Sequence, residues 1–234
     1  DGKVRVEIFA RANAYPLPLT KGLEDENTVG MAPWVLVFKG NDANATFIEA
    51  AQAFELAGKR YVILTRQPAG SNYRLLILAN PQLFFYYGDA VTAYSFTSEN
   101  FRLNMTPEVT TLSDICSRLL TEPLNAPSCT VIPYSGAGEL IPMSYLLTVD
   151  KIENTDKSSL QLVRAVAKMV ITNKAPNFEL KGVSAVVNVP RQGLLHNLTG
   201  SIMDNTSNLT EYRNDAAYSA PLVTAEWTDE GQST

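Results

Sequence analysis

Four short runs constrain this chain more than anything else in it: VRVEIFAR, WVLVFK, YVILT and YRLLILAN. In the first, Val4, Val6 and Ile8 alternate with Lys3, Arg5 and Glu7, the period of two that a half-buried strand requires. In the second, Trp34, Leu36 and Phe38 take one face while Val35 and Val37 take the other. Apolar on both sides, that run belongs in the middle of a sheet. Between such runs lie NDANA and QPAGSN, which are turn chemistry, and YRLLILAN ends in Asn-Pro, which disfavours continued regular structure.

Composition agrees. Val, Thr, Tyr, Phe and Ile are plentiful, and thirteen prolines and thirteen glycines punctuate 234 residues. That mix favours strands joined by turns over helix bundles. With 45% apolar and 18% charged residues the chain can bury a sizeable core. A net charge of −5 argues against a general nucleic-acid binder, which would carry a basic stripe. No apolar run approaches the roughly 18 residues a membrane helix needs. The opening DGKVRVEIFA lacks a charged-then-apolar signal layout, so an export signal is expected to have been removed or never to have existed.

The count reaches eight or more short strands, with further ones in MSYLLTV and SAVVNVP. TLSDICSRLL is the one convincing helix, capped by Thr111 or Ser113. ATFIEAAQAFEL stays open between a short helix and a ragged strand. This is the signature of an all-β protein made of antiparallel β-sandwiches. The polar stretch 150–159 reads as a linker, dividing an N-terminal domain, 1–159, from a C-terminal domain, 160–234. LQLVRAVAKMVITN, residues 160–173, fits either a helix or a strand by period alone. The β-rich context favours an extended 160–172, with Arg164 and Lys168 on one face near Glu153 and Asp156.

Chemistry is sparse. His196 in GLLHNLTG has no nucleophile motif beside it and reads as a turn or surface histidine. Glu24, Asp25 and Glu26 lack the oxygen spacing of a calcium loop and read as a solvated charge run. No catalytic, cofactor-binding or metal-ligating residues are expected. Cys116 and Cys129, thirteen positions apart, stand as a disulfide stabilising by roughly 3 kcal/mol or as two buried thiols. Five sequons, at Asn44, Asn104, Asn197, Asn205 and Asn208, carry little weight in an Asn-rich chain. Tyr86, Tyr87 and Tyr94 could stack on sugars in a surface carbohydrate-binding protein of a glycan-uptake system, although aromatics at strand spacing are more often core. A glycoside hydrolase fragment is the weakest alternative.

The order of the pieces resembles the fimbrillin family of Bacteroidales, the shaft, accessory and anchor subunits of type V pili. VRVEIFAR with its long loop comes first, then ENTVGMAPWVLVFKG, YRLLILAN, YSGAGE, LVRAVAKMVIT and FELKGVSAVVNVPRQGLL. The resemblance implies two transthyretin-like β-sandwich domains, the second incomplete at 160–234. It implies an exported, non-enzymatic lipoprotein subunit at the outer membrane and cell surface, in the fimbrium, with a role in adhesion. Its partners would be other pilus subunits and host or bacterial surface ligands, with no nucleic acid, no cofactor, and membrane contact only through an upstream lipid anchor. Assembly would proceed by strand exchange. The first strand, with Val4, Val6 and Ile8 filling a groove, is released by proteolysis in the following loop, and a neighbour's strand replaces it. Arg11 and Lys21 are the candidate cleavage points. A chain that keeps its first strand is then an unprocessed form, an anchor or a tip. One ending in a polar stretch is truncated, or a cap that receives a strand without donating one.

Overall fold

The structure, a computed structural model, describes residues 2–12, 29–30, 32–81, 83–89, 91–122, 140–165, 173–174, 176–177, 185–190, 192–198 and 209–213. The strands are, in chain order, β1 (Lys3–Ala12), β2 (Trp34–Lys39), β3 (Thr46–Gln52), β4 (Phe54–Leu56), β5 (Lys59–Thr65), β6 (Tyr73–Ala79), β7 (Phe84–Tyr87) and β8 (Ala93–Ser95). Two short helices follow, α1 (Ser98–Asn104) and α2 (Leu112–Arg118). Then come β9 (Leu119–Leu120), β10 (Met143–Val149), β11 (Thr155–Arg164), β12 (Ala185–Pro190) and β13 (Leu209–Arg213). The fold is all-β.

Eight strands form one sheet in the order β3-β2-β6-β10-β11-β1-β5-β4. Its two end strands are separated in the chain by Ala53 alone, so a single extended stretch, 46–56, crosses from one half of the sheet to the other. The halves are joined at β10 and β11 through only two residue pairs, Met143 with Arg164 and Ser144 with Val163. They pack on each other as a sandwich. Val4, Val6, Ile8, Val62, Leu64, Leu160 and Leu162 come from one half, and Val35, Val37, Leu75 and Ile77 from the other.

Alternation in β2 then dictates a second core. Trp34, Leu36 and Phe38 face away from the sandwich, with Leu76 and Leu78 beside them, and are covered by Phe85, Phe101, Met105, Leu112 and Ile115. The rings of Phe85 and Phe101 stack with centroids 4.8 Å apart. β2 is therefore central in both senses, hydrogen-bonded on both edges and buried on both faces. The open segment at 45–56 is strand, not helix.

α2 begins where its cap was read. Thr111 Oγ1 accepts from Asp114 N at 3.1 Å, and Asp114 Oδ2 accepts from Thr111 N at 3.1 Å, a reciprocal capping box. The expectation of one helix needs correction, because Thr97 caps a second one, α1, whose buried residue is Phe101. Seven residues with one anchor leave little periodic trace.

Two further readings change. β11 begins at Thr155, so TDKSS is strand rather than linker. This strand runs across the expected boundary between 159 and 160, and Leu160 and Leu162 lie in the same core as Val4. Its pairing with β1 is parallel, unlike the other named strand pairs. Of the ambiguous run, 160–164 is strand, and 166–172, with Lys168, lies outside the described residues. β12 and β13 pair antiparallel. Just after β12, the segment 192–196 docks on the first part of the chain. Thr121 N donates to Gly193 O at 2.9 Å, Leu195 N donates to Leu119 O at 3.0 Å, and Leu195 joins the second core.

Candidate functional site

β1 occupies a slot between β5 and β11. On one edge it is antiparallel to β5, with Lys3 opposite Thr65, Val4 opposite Leu64, Val6 opposite Val62 and Glu7 opposite Tyr61. On the other it runs parallel to β11, with Val6 opposite Thr155 and, past a bulge, Ile8 opposite Ser158 and Ala12 opposite Leu162. Val4, Val6 and Ile8 are all buried in the sandwich core. Burying three such side chains contributes roughly 5–9 kcal/mol, comparable to the whole net stability of a domain, about 5–15 kcal/mol. Without an occupant the slot exposes two rows of unpaired backbone groups and an apolar trough, which is the template an extended peptide fills.

Polar contacts mark both ends of the stretch of β1 that pairs with β5. Lys3 Nζ lies 2.9 Å from Glu49 Oε2 and 2.8 Å from Thr65 Oγ1. Glu49, reaching from β3, also accepts from Thr65 N at 2.6 Å and Thr65 Oγ1 at 3.1 Å. Arg5 N donates to Asn154 Oδ1 at 2.9 Å, and its guanidinium sits 4.7 Å from the centre of the Tyr61 ring. At the other end Lys59 Nζ lies 3.4 Å from Glu7 Oε2, whose side chain is only 8% exposed. Alternation put Glu7 on the wet face with Lys3 and Arg5. The structure buries it against a cation 52 residues away, a pairing no local pattern signals.

The chain leaves the slot through 13–28, which lies outside the described residues together with Lys21 and the acidic run. Arg11 is not in that loop. It belongs to β1 and is paired with Gln161. The chain reappears at a built anchor. Asn80 Oδ1 accepts from Gly30 N at 3.0 Å, Asn80 Nδ2 donates to Ile141 O at 3.0 Å, and the Arg60 guanidinium donates to Val29 O. A Cβ on Gly30 would meet the end of the Leu140 side chain at 2.7 Å, so a larger residue there requires Leu140 to shift.

The other sequence candidates fall into structural roles. Cys116 is a free thiol packed in the second core. Burial pushes its pKa up to about 12, offset in part by the nearby Arg74. Cys129, the other half of the expected bridge, lies outside the described residues. His196 is a packing histidine rather than a surface one. Its Nδ1 is 2.9 Å from the buried Ser144 Oγ, and burial lowers its pKa below the ordinary value. Tyr87 is buried beneath the Arg118 guanidinium at 4.6 Å, Tyr94 stacks on Phe85 at 5.6 Å, and Tyr86 is half-buried. Among the described residues no three His, Cys, Asp or Glu side chains converge as a metal site, and no helix is long and apolar enough to cross a membrane.

Two solved fimbrial proteins resemble this chain. One is a fimbrial assembly protein from Parabacteroides distasonis, 13% identical, with a TM-score of 0.44 over 92% of this chain and 77% of that one. The other is the tip fimbrial protein Mfa3 from Porphyromonas gingivalis with C-terminal truncation, 13% identical, with a TM-score of 0.45 over 93% of this chain and 66% of that one. No family model matches, and no curated protein does.

Proposed function

We propose that the chain is a non-enzymatic structural subunit of a pilus, exported to the outer membrane and cell surface through an upstream lipid anchor and serving adhesion. It assembles by strand exchange: β1 is released after a cut in 13–28, and an extended strand of a neighbouring subunit enters the slot. The observation that carries this reading is the position of β1. It is the first strand of the chain, paired on both edges, and its three buried residues fill a core it shares with strands much later in sequence. The strand can be removed only after a cut, and once removed it must be replaced.

Of the two cleavage points, Arg11 stands in a paired strand, where a protease cannot take the backbone as an unpaired extended substrate without local opening. Lys21 is therefore the proposed cut. A division into two domains belongs to the same proposal, with the boundary expected at 159/160 moved past β11, because Leu160 and Leu162 share the core of Val4. The carbohydrate-binding alternative has less support, because Tyr87 is buried and Tyr94 stacks on Phe85, which leaves the half-buried Tyr86.

Limited trypsin treatment followed by size analysis tests the reading. Cleavage in 13–28, verified by mass, is expected to convert monomer into a ladder of oligomers. A cut protein that has lost β1 and stays a folded monomer at high concentration contradicts it.

A further inference from the structure

Along its β5 edge the slot carries a charge at each end as well as apolar pockets, and the two charges have opposite sign. Glu49 stands at the Lys3 end and Lys59 at the Glu7 end. The occupant matches both: Lys3 and Glu7 are four residues apart on one face of β1, while Val4, Val6 and Ile8 fill the other face. We propose that Glu49 and Lys59 read the register of whatever strand enters the slot. They select an extended segment of a second subunit with a basic residue, an acidic residue four positions later, and apolar residues at the first, third and fifth positions after the basic one. This rests on the strand-exchange reading and adds to it the chemistry of the partner.

Apolar alternation alone leaves errors of register open, because a strand displaced by two residues keeps the same face inward. The charges reject both displacements. A strand slid so that Arg5 takes the Glu7 position sets Arg5 against Lys59 and Asp1 against Glu49. Slid the other way, it brings Phe9 to Lys59 and leaves that ammonium without its carboxylate. The repulsive arrangements matter as much as the favourable one, because specificity is a difference between partners.

The two ends are unequal. The Glu7 side chain is 8% exposed, whereas the Lys3 side chain is 59% exposed. A charge-assisted contact to a buried carboxylate contributes more than an exposed ion pair, so Lys59 discriminates more strongly than Glu49.

The experiment uses the full chain cut in 13–28 and three peptides of the length of Gly2–Ala12: the native sequence, Glu7→Lys and Lys3→Glu. In the native register each single substitution leaves a like-charge contact, at Lys59 for Glu7→Lys and at Glu49 for Lys3→Glu. Retention of labelled peptide is expected to fall about tenfold for Glu7→Lys and about threefold for Lys3→Glu. On the Lys59→Glu protein the order of the native and Glu7→Lys peptides is expected to reverse. Lys59 is about half exposed, so this variant keeps its fold, and the wild-type protein gives the first comparison in any case. Equal retention of all three peptides, or an order unchanged on Lys59→Glu, overturns charge selection while leaving strand exchange standing. No retention of any peptide after β1 has left refutes exchange itself, and the selectivity with it.

Discussion

Glu49 on β3 accepts a hydrogen bond from the backbone N–H of Thr65 on β5 at 2.6 Å, joining the two halves of the sandwich across their faces. The same carboxylate takes the Thr65 hydroxyl and the Lys3 ammonium, so one side chain satisfies three donors. Glu49→Ala leaves a backbone donor without its acceptor, at a cost of about 1–3 kcal/mol. Glu49→Gln keeps an oxygen for Thr65 N and loses less. Urea unfolding of both variants measures the difference, and equal losses contradict the bridging role.

Truncating the inward face of β1 affects the whole domain. Ile8→Ala is expected to cost about 2–5 kcal/mol, because Ile8 is buried in a core common to both halves of the sheet. Arg5→Ala, on the opposite face, is expected to cost less than about 1 kcal/mol. Thermal or urea unfolding reads both, and a small effect of Ile8→Ala means that β1 does not fill the core.

The α2 cap gives a separate handle. Thr111→Ala is expected to destabilise by about 1 kcal/mol. The Asp114 carboxyl is held below its ordinary pKa, first by the Thr111 hydroxyl and then by the Thr111 backbone N–H. A carboxyl depressed in the folded state contributes fully above its unfolded pKa, and that contribution is lost as pH falls through the folded one. Thr111→Ala therefore loses less stability at pH 2 than at pH 7, which paired denaturation curves measure.

His196 acts in the opposite sense to a salt-bridged histidine. Burial lowers its folded pKa, so the unfolded chain takes up the proton first. Stability is then full above the unfolded pKa of about 6.5 and declines as pH drops below it, until the folded form also protonates. His196→Gln is expected to flatten the urea midpoint between about pH 5 and 7. An unchanged slope in that range removes His196 as the cause.

Cys116, its thiol pushed to about 12 by burial, is expected to resist alkylation in the native protein and react after unfolding, followed residue by residue by peptide mass analysis. Rapid native labelling at Cys116 contradicts its place in the core.

Much of the sandwich could be read from alternation. The parity of Trp34 to Phe38 told which side chains serve which core, and Thr111 announced α2. What alternation missed arises where distant segments meet. Thr155–Ser159 looked like a linker because its side chains are polar, yet it is strand because its backbone pairs in parallel with β1. Glu7 looked solvated because its partner, Lys59, is remote in sequence. Asn80 read as a strand terminator, and it is, with a φ of +49°, but its buried amide also ties down the chain at Gly30 and Ile141. The slot itself was inferred through a family resemblance, since nothing local distinguishes a strand that can be exchanged from one that cannot.

The most direct test of the account follows the first strand by native mass spectrometry. The chain is cut in 13–28, then incubated with an excess of isotope-labelled peptide of Gly2–Ala12. Strand exchange predicts one-for-one replacement, each departing fragment matched by one labelled peptide on a folded protein. Loss of the fragment without uptake by a protein that remains folded, or uptake beside a fragment that never leaves, contradicts strand exchange.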